Sequence, residues 1–148
     1  MNWQGVCIHH SATRDTATNS WSAIRRYHIQ HNGWNDIGYH YGLEDIDGDL
    51  CVRIGRPTDK PGAHARGIND THLGICVVGN YDRDYPPQSL ISTLALLIVD
   101  IMRAYGIKPS SGSVLYHSDV SGKTCPGAHW PPKGVLLRLV TAKMEALS

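Results

Sequence analysis

At 148 residues, with 41% hydrophobic and 18% charged residues, the chain can bury one sizeable core, which excludes disorder. A formal net charge of +1, from 14 Lys+Arg against 13 Asp+Glu with no basic block, leaves no electrostatic footprint for nucleic acid. Residues 1–5 lack the basic start and apolar stretch of a signal peptide, and the longest apolar segment, Leu94 to Met102, is interrupted by Asp100 and too short to span a bilayer, so a soluble, monomeric chain without membrane contact is expected.

In chain order, Gln4 to His9 carries Val6, Cys7 and Ile8 and reads as a short buried strand. Ser11 to Thr18 is a polar loop. Asn19 or Ser20 can cap a helix in which Trp21, Ile24, Tyr27, His28 and His31 recur at three- and four-residue spacing, and Gly33 stops it. Tyr39 to Ile46 and Leu50 to Ile54 flank Asp47-Gly48-Asp49, a hairpin signal. Arg56 to His72 is a long loop, and Leu73 to Val78 is a second buried strand, ended by Gly79-Asn80.

Pro86-Pro87 opens the longest helix, whose apolar stripe runs through Leu90, Ile91, Leu94, Leu97, Ile98, Ile101 and Met102 to a stop at Gly106. Val114 to Tyr116 is a short strand leading into His117. A loop then carries Lys123 and Cys125, and Pro131-Pro132 starts a last helix with Leu136, Leu137, Leu139 and Val140. Strands interleaved with helices, plus one hairpin, imply an α/β fold: one domain over residues 1–148, a mixed β-sheet flanked by helices.

The cysteines are Cys7, Cys51, Cys76 and Cys125, and none forms a Cys-x-x-Cys pair. The first three sit in strand-like runs and are expected as buried thiols in a reducing compartment. Cys125 is different. It follows His117 within one loop, while the pair His9-His10 closes the first strand. Imidazole and thiolate are ligands that zinc prefers, and three protein ligands plus a water make a catalytic site. His9 and His117 both leave a strand end, where α/β folds gather ligands and chemistry. His10 competes as first ligand, but strand alternation lets only one of the pair face a metal. Lys123 adds a cation where a developing oxyanion needs one. These residues read as a zinc hydrolase.

Five segments in order carry a resemblance: Ile8-His9-His10-Ser11-Ala12-Thr13, Gly38-Tyr39-His40-Tyr41, Gly62-Ala63-His64-Ala65-Arg66-Gly67, Leu73 to Gly79, and His117 to Pro126. Together they resemble the zinc-dependent N-acetylmuramoyl-L-alanine amidases, a group that includes small phage amidases and the peptidoglycan recognition proteins. The resemblance implies His9, His117 and Cys125 as zinc ligands and Tyr39 and Lys123 as catalytic residues. It also implies His64, Arg66 and Asn80 as contacts to substrate. The expected substrate is bacterial peptidoglycan, cut at the amide between N-acetylmuramic acid and L-alanine. A phage or prophage endolysin is the expected setting, held in the cytoplasm until release to the wall. A binding-only recognition module and a cytosolic wall-recycling amidase are the alternatives. No carboxylate stands out as a general base. Glu44 differs from Tyr39 by five residues and alternation puts them on opposite faces of a regular strand, while Asp119 can orient His117 or simply form a turn.

Overall fold

The computed structural model describes residues 1–13 and 20–148. Most of the expected Ser11 to Thr18 loop, and Asn19 as a helix cap, lie outside the described residues. The elements are β1 (Gly5–His10), α1 (Ser20–Gln30), β2 (Tyr41–Ile46), β3 (Asp49–Ile54), β4 (His72–Val77), α2 (Gln88–Tyr105), β5 (Val114–Tyr116), a short 3-10 turn (His117–Asp119) and α3 (Lys133–Ala146). The strands form one mixed sheet in the order β3-β2-β4-β1-β5. β1 runs parallel to both β4 and β5, β2 is parallel to β4, and β2 and β3 form the antiparallel hairpin. The α/β sandwich around a mixed sheet is therefore the observed architecture.

Every residue of β1 and β4 is buried, as central parallel strands covered on both faces must be. Successive side chains alternate between those faces, and the alternation divides the labour. Val6, Ile8, Leu73, Ile75, Val77 and Val114 join Leu90, Leu94, Ile98 and Met102 of α2 and Leu136 and Val140 of α3 in the main apolar core. Each such side chain contributes on the order of 1.5–3 kcal/mol by leaving water. Cys7, His9 and Cys76 occupy the alternate positions and point to the other face, where Trp21, Ile37, Cys76 and Val78 form a smaller cluster.

α2 is the one helix among the described residues long and apolar enough by length and composition to cross a membrane, a reach the nine-residue segment read from sequence understated. Eight of its side chains are buried, so its apolar stripe is spent on the sheet. Gly106 ends it in the left-handed conformation at φ 67°, its N–H reaching Met102 O. The hairpin turns through Asp47 (φ 53°) and Gly48 (φ 90°), two positive values in a two-residue loop of the primed class.

Two expectations need correcting. Cys51 is only half-buried, because β3 is an edge strand with a solvent-facing side. The α1 stripe is also narrower than its spacing suggests: Trp21 is its one buried residue, and Tyr27 is 55% exposed. Tyr27 stacks instead on His31 at the surface, with ring centroids 4.5 Å apart.

Candidate metal centre and cleft

The sheet register brings the chemistry together. β5 lies beside β1 with Ile8 opposite Tyr116, so the residues after them, His9 and His117, meet at one rim with ring centroids 4.5 Å apart. The loop after His117 folds back on itself, Ser118 N donating to Cys125 O at 2.8 Å. Cys125 Sγ then lies 3.8 Å from His9 Nδ1, and the ligand atoms of His9, His117 and Cys125 are all within 4.8 Å of one another. Two ligands on one tetrahedral zinc stand roughly 3.5 Å apart, so two imidazoles and a thiol at these separations suit that ion. His10 turns the other way: its Nδ1 accepts from Tyr81 N at 3.0 Å, while its backbone N–H donates to Cys125 Sγ at 3.4 Å.

Hydrogen bonds decide which nitrogen of His9 is free. His64 Nε2 faces His72 O at 2.9 Å, and a carbonyl only accepts, so Nε2 carries the proton. His64 Nδ1 is therefore an acceptor, and the 2.9 Å contact makes His9 Nε2 its donor. The lone pair left over is on His9 Nδ1, on the side of Cys125. Burial pushes His64 down to about 3, which keeps it a neutral acceptor. Its ring lies against Gly74, where a Cβ would stand 2.6 Å from ring carbons. This buttress fixes the orientation of the ligand. Cys7, His9 and His64 form a second group of close donor atoms, but its two nitrogens are already bonded to each other and burial drives the Cys7 thiol far above its ordinary value.

The cluster sits in a cleft of about 660 Å³ that Tyr39 and Lys123 also line. Tyr39 has its ring centroid 5.2 Å from that of His9. Burial, with the nearby Cys76 and Cys125 thiols adding to it, holds its hydroxyl well above the ordinary value, so it is a donor at neutral pH. Lys123 is exposed at the rim. Burial lowers the His117 imidazole and the Lys123 charge lowers it further. Burial lifts the Cys125 thiol to about 11, against the pull of the His10 amide and Lys123. Even with Lys123 nearby, that thiol keeps its proton at neutral pH until a metal ion displaces it.

Five expected site residues thus converge: His9, His117, Cys125, Tyr39 and Lys123. His64 joins them, with its ring bonded to His9. Arg66 is exposed and does not line the cleft, and Asn80 lines a separate cavity of about 250 Å³ with Arg83 and Tyr85. Tyr39 precedes β2, so the alternation separating it from Glu44 has no strand to run along. Glu44 is buried and accepts from Trp21 N at 2.6 Å, a carboxylate at the N-terminus of α1. Asp119 Oδ2 accepts from Tyr116 N at 2.8 Å and from Lys133 Nζ at 3.0 Å, which pins the turn after β5. Sequence reasoning missed His28, Trp34 and Asp82, which also line the cleft. His28 and Trp34 come together from the end of α1 and the turn after it, where Trp34 N donates to His28 O at 3.1 Å, while Asp82 comes from the loop between β4 and α2, and only the fold unites the two segments.

Comparisons with known proteins identify the family. The model of the N-acetylmuramoyl-L-alanine amidase family matches residues 1–128. An endolysin of Klebsiella phage KP32 is 35% identical over 127 residues, 82% of this chain and 78% of the phage protein. Peptidoglycan-recognition protein SC1a of Drosophila melanogaster is 37% identical over 128 residues, 82% of this chain and 66% of the insect protein. Among solved structures, the N-acetylmuramoyl-L-alanine amidase LysC from Clostridium intestinale superposes with a TM-score of 0.77 at 28% identity, covering 97% of this chain and 86% of its own. A point mutant of Drosophila PGRP-LB in complex with tracheal cytotoxin gives 0.74 at 28% identity over 86% of this chain and 77% of its own. The chain belongs to the N-acetylmuramoyl-L-alanine amidase family.

Proposed function

We propose that this protein is a zinc-dependent hydrolase of peptidoglycan that cleaves the amide between the lactyl group of N-acetylmuramic acid and L-alanine. The observation that carries the reading is the convergence of His9 Nδ1, His117 and Cys125 Sγ at the floor of the cleft. Those three residues would hold the ion. Bound there, zinc supplies a water of lowered pKa and a Lewis acid for a carbonyl oxygen. The remaining work falls to the chain itself. His64 holds the His9 ring so that its Nδ1 points inward. Lys123 places a full positive charge at the rim, where it stabilises negative charge developing on the scissile carbonyl oxygen. Tyr39, kept protonated by burial, donates a hydrogen bond to the same oxygen or orients the attacking water. His28 and Trp34 form a ring-lined wall, their centroids 4.7 Å apart, that can hold the muramyl peptide.

A binding-only role is the second reading, favoured by the recognition proteins among the relatives. Against it stand a complete ligand triad and two further polar groups, Tyr39 and Lys123, in one cleft. The phage endolysins among the relatives support a lytic setting, with synthesis in the host cytoplasm and action on the wall after release.

The test is zinc content of the purified protein, measured with release of free muramyl ends from peptidoglycan. About one zinc per chain and cleavage lost with chelator and restored by zinc is the expected result. Tight muropeptide binding without cleavage, in protein that carries zinc, would move the chain to the recognition class.

A further inference from the structure

The cysteine of the triad lies in an irregular loop, and something must fix where its sulfur stands. We infer that Asp82, in the loop between β4 and α2, is the positioning residue that clamps this loop and thereby sets the strength of the metal site. The inference rests on the zinc reading above. Asp82 Oδ1 accepts from Thr124 Oγ1 at 2.7 Å and from Ala128 N at 2.8 Å. Those donors are the residue before Cys125 and the third residue after it, so one carboxylate oxygen spans the ligand from both sides. Asp82 Oδ2 stands 3.9 Å from His10 Nε2, the nitrogen left protonated once Nδ1 has accepted from Tyr81 N.

The neighbouring backbone repeats the pattern. Tyr81 O accepts from His129 N at 2.8 Å, and Gly127 approaches Tyr81 so closely that a Cβ there would stand 2.4 Å from its carbonyl carbon. Tyr81 and Asp82 therefore tie three things together: the end of β1 through His10, the segment from Thr124 to His129, and, between them, the sulfur that accepts from His10 N. Asp82 itself lines the cleft but has its Oδ1 committed to the loop. Losing a group hydrogen-bonded directly to a metal ligand typically costs on the order of 10–100-fold in metal affinity. Asp82, which holds the loop on both sides of Cys125 through Thr124 and Ala128, acts on the same scale.

The chemistry separates hydrogen bonding from charge. Asn in place of Asp82 keeps a carbonyl oxygen that can accept from Thr124 and Ala128, whereas Ala keeps nothing. Zinc affinity of the full chain is measured by competition with a chromophoric chelator, and cobalt(II) is bound in parallel to read the thiolate-to-metal charge-transfer band. Asp82→Ala is expected to weaken zinc about 10–100-fold and to diminish that band, Asp82→Asn to stay within about threefold of wild type, and Thr124→Val to weaken zinc by a smaller factor, about three- to tenfold. Thr124 is exposed, so its variant keeps the test open should Asp82→Ala fold poorly. If Asp82→Ala folds and binds zinc and cobalt as wild type does, or if Asp82→Asn falls as far as Asp82→Ala, the clamp is wrong. If the wild-type chain takes up no zinc, it is the metal reading that fails.

Discussion

The two faces of the central strands do opposite jobs with neighbouring residues. On the face toward α2 and α3, β1 offers Val6 and Ile8, and these interdigitate with Leu94, Ile98 and Leu136 in a dry core. On the other face the same strand offers Cys7, which lies beside His64, and His9, which meets His64, His117, Cys125 and Tyr39 at a cleft. The first face is stabilised by area removed from water, which is non-directional and forgiving of shape-conserving change. The second depends on lone pairs and protons aimed at particular atoms, where a small displacement is costly. Stability and chemistry are thus carried by alternate residues of one strand.

Substitutions can break the comparison if a change on one face spreads to the other. The largest effect is expected for Cys125→Ser, which removes the thiol ligand: zinc binding and amide cleavage should be abolished, with the helical core intact by circular dichroism. Retained zinc and lysis would remove Cys125 from the ligand set. Lys123→Ala should lower turnover by about 10²–10³ while zinc content stays at wild-type level, because its charge acts on the oxyanion rather than on the metal. Wild-type turnover in this variant would remove that role. Leu94→Ala, on the opposite face, should cost about 2–5 kcal/mol in chemical denaturation and leave zinc affinity unchanged at temperatures where the protein is folded. A matching loss of zinc affinity would show that the two faces are coupled.

Smaller effects concern protons. Cys125 has its thiol at about 11 in the metal-free protein, so zinc uptake at pH 7 should release about one proton, read by calorimetry in buffers of different ionisation enthalpy. Zinc affinity should accordingly rise with pH. The folded state has its own acid limit. His64 takes up a proton near 6.5 when unfolded but near 3 when folded, so acid favours the unfolded chain. Stability of the zinc-free protein should be independent of this group above pH 7 and fall progressively as pH drops from about 6.5 toward 3. A stability profile flat through that window would mean that His64 is not held neutral.

Much of the fold was legible because its signals are local. Val114–Tyr116 is a strand with the bounds its apolar run suggested, and the Asp47-Gly48 turn needs only the two residues that adopt it. Helix ends followed from Pro86-Pro87, Gly106 and Pro131-Pro132 for the same reason. In the cleft, His9, His117 and Cys125 stood out by residue type. Asp82 did not, since nothing around a lone Asp in sequence says that it will meet a loop more than forty residues away. His64 was attached to substrate by resemblance alone. Its bond to His9 depends on a glycine at position 74 of another strand, which no local pattern reveals. Tyr27 misled for a related reason: helical spacing predicts a face, while the width of that face is set by what packs on it.

Because core and cleft residues interleave along β1, its reading frame has a period of two. Inserting one residue ahead of Val6 would turn His9 toward α2 and send Ile8 to the cleft, so one event would put a polar ring into the core and an aliphatic chain where a ligand belongs. Inserting two would return every side chain to its own face, shifted along the strand by one repeat. Length changes in this strand are thus judged by parity, a constraint that the loops on either side of the cleft do not share.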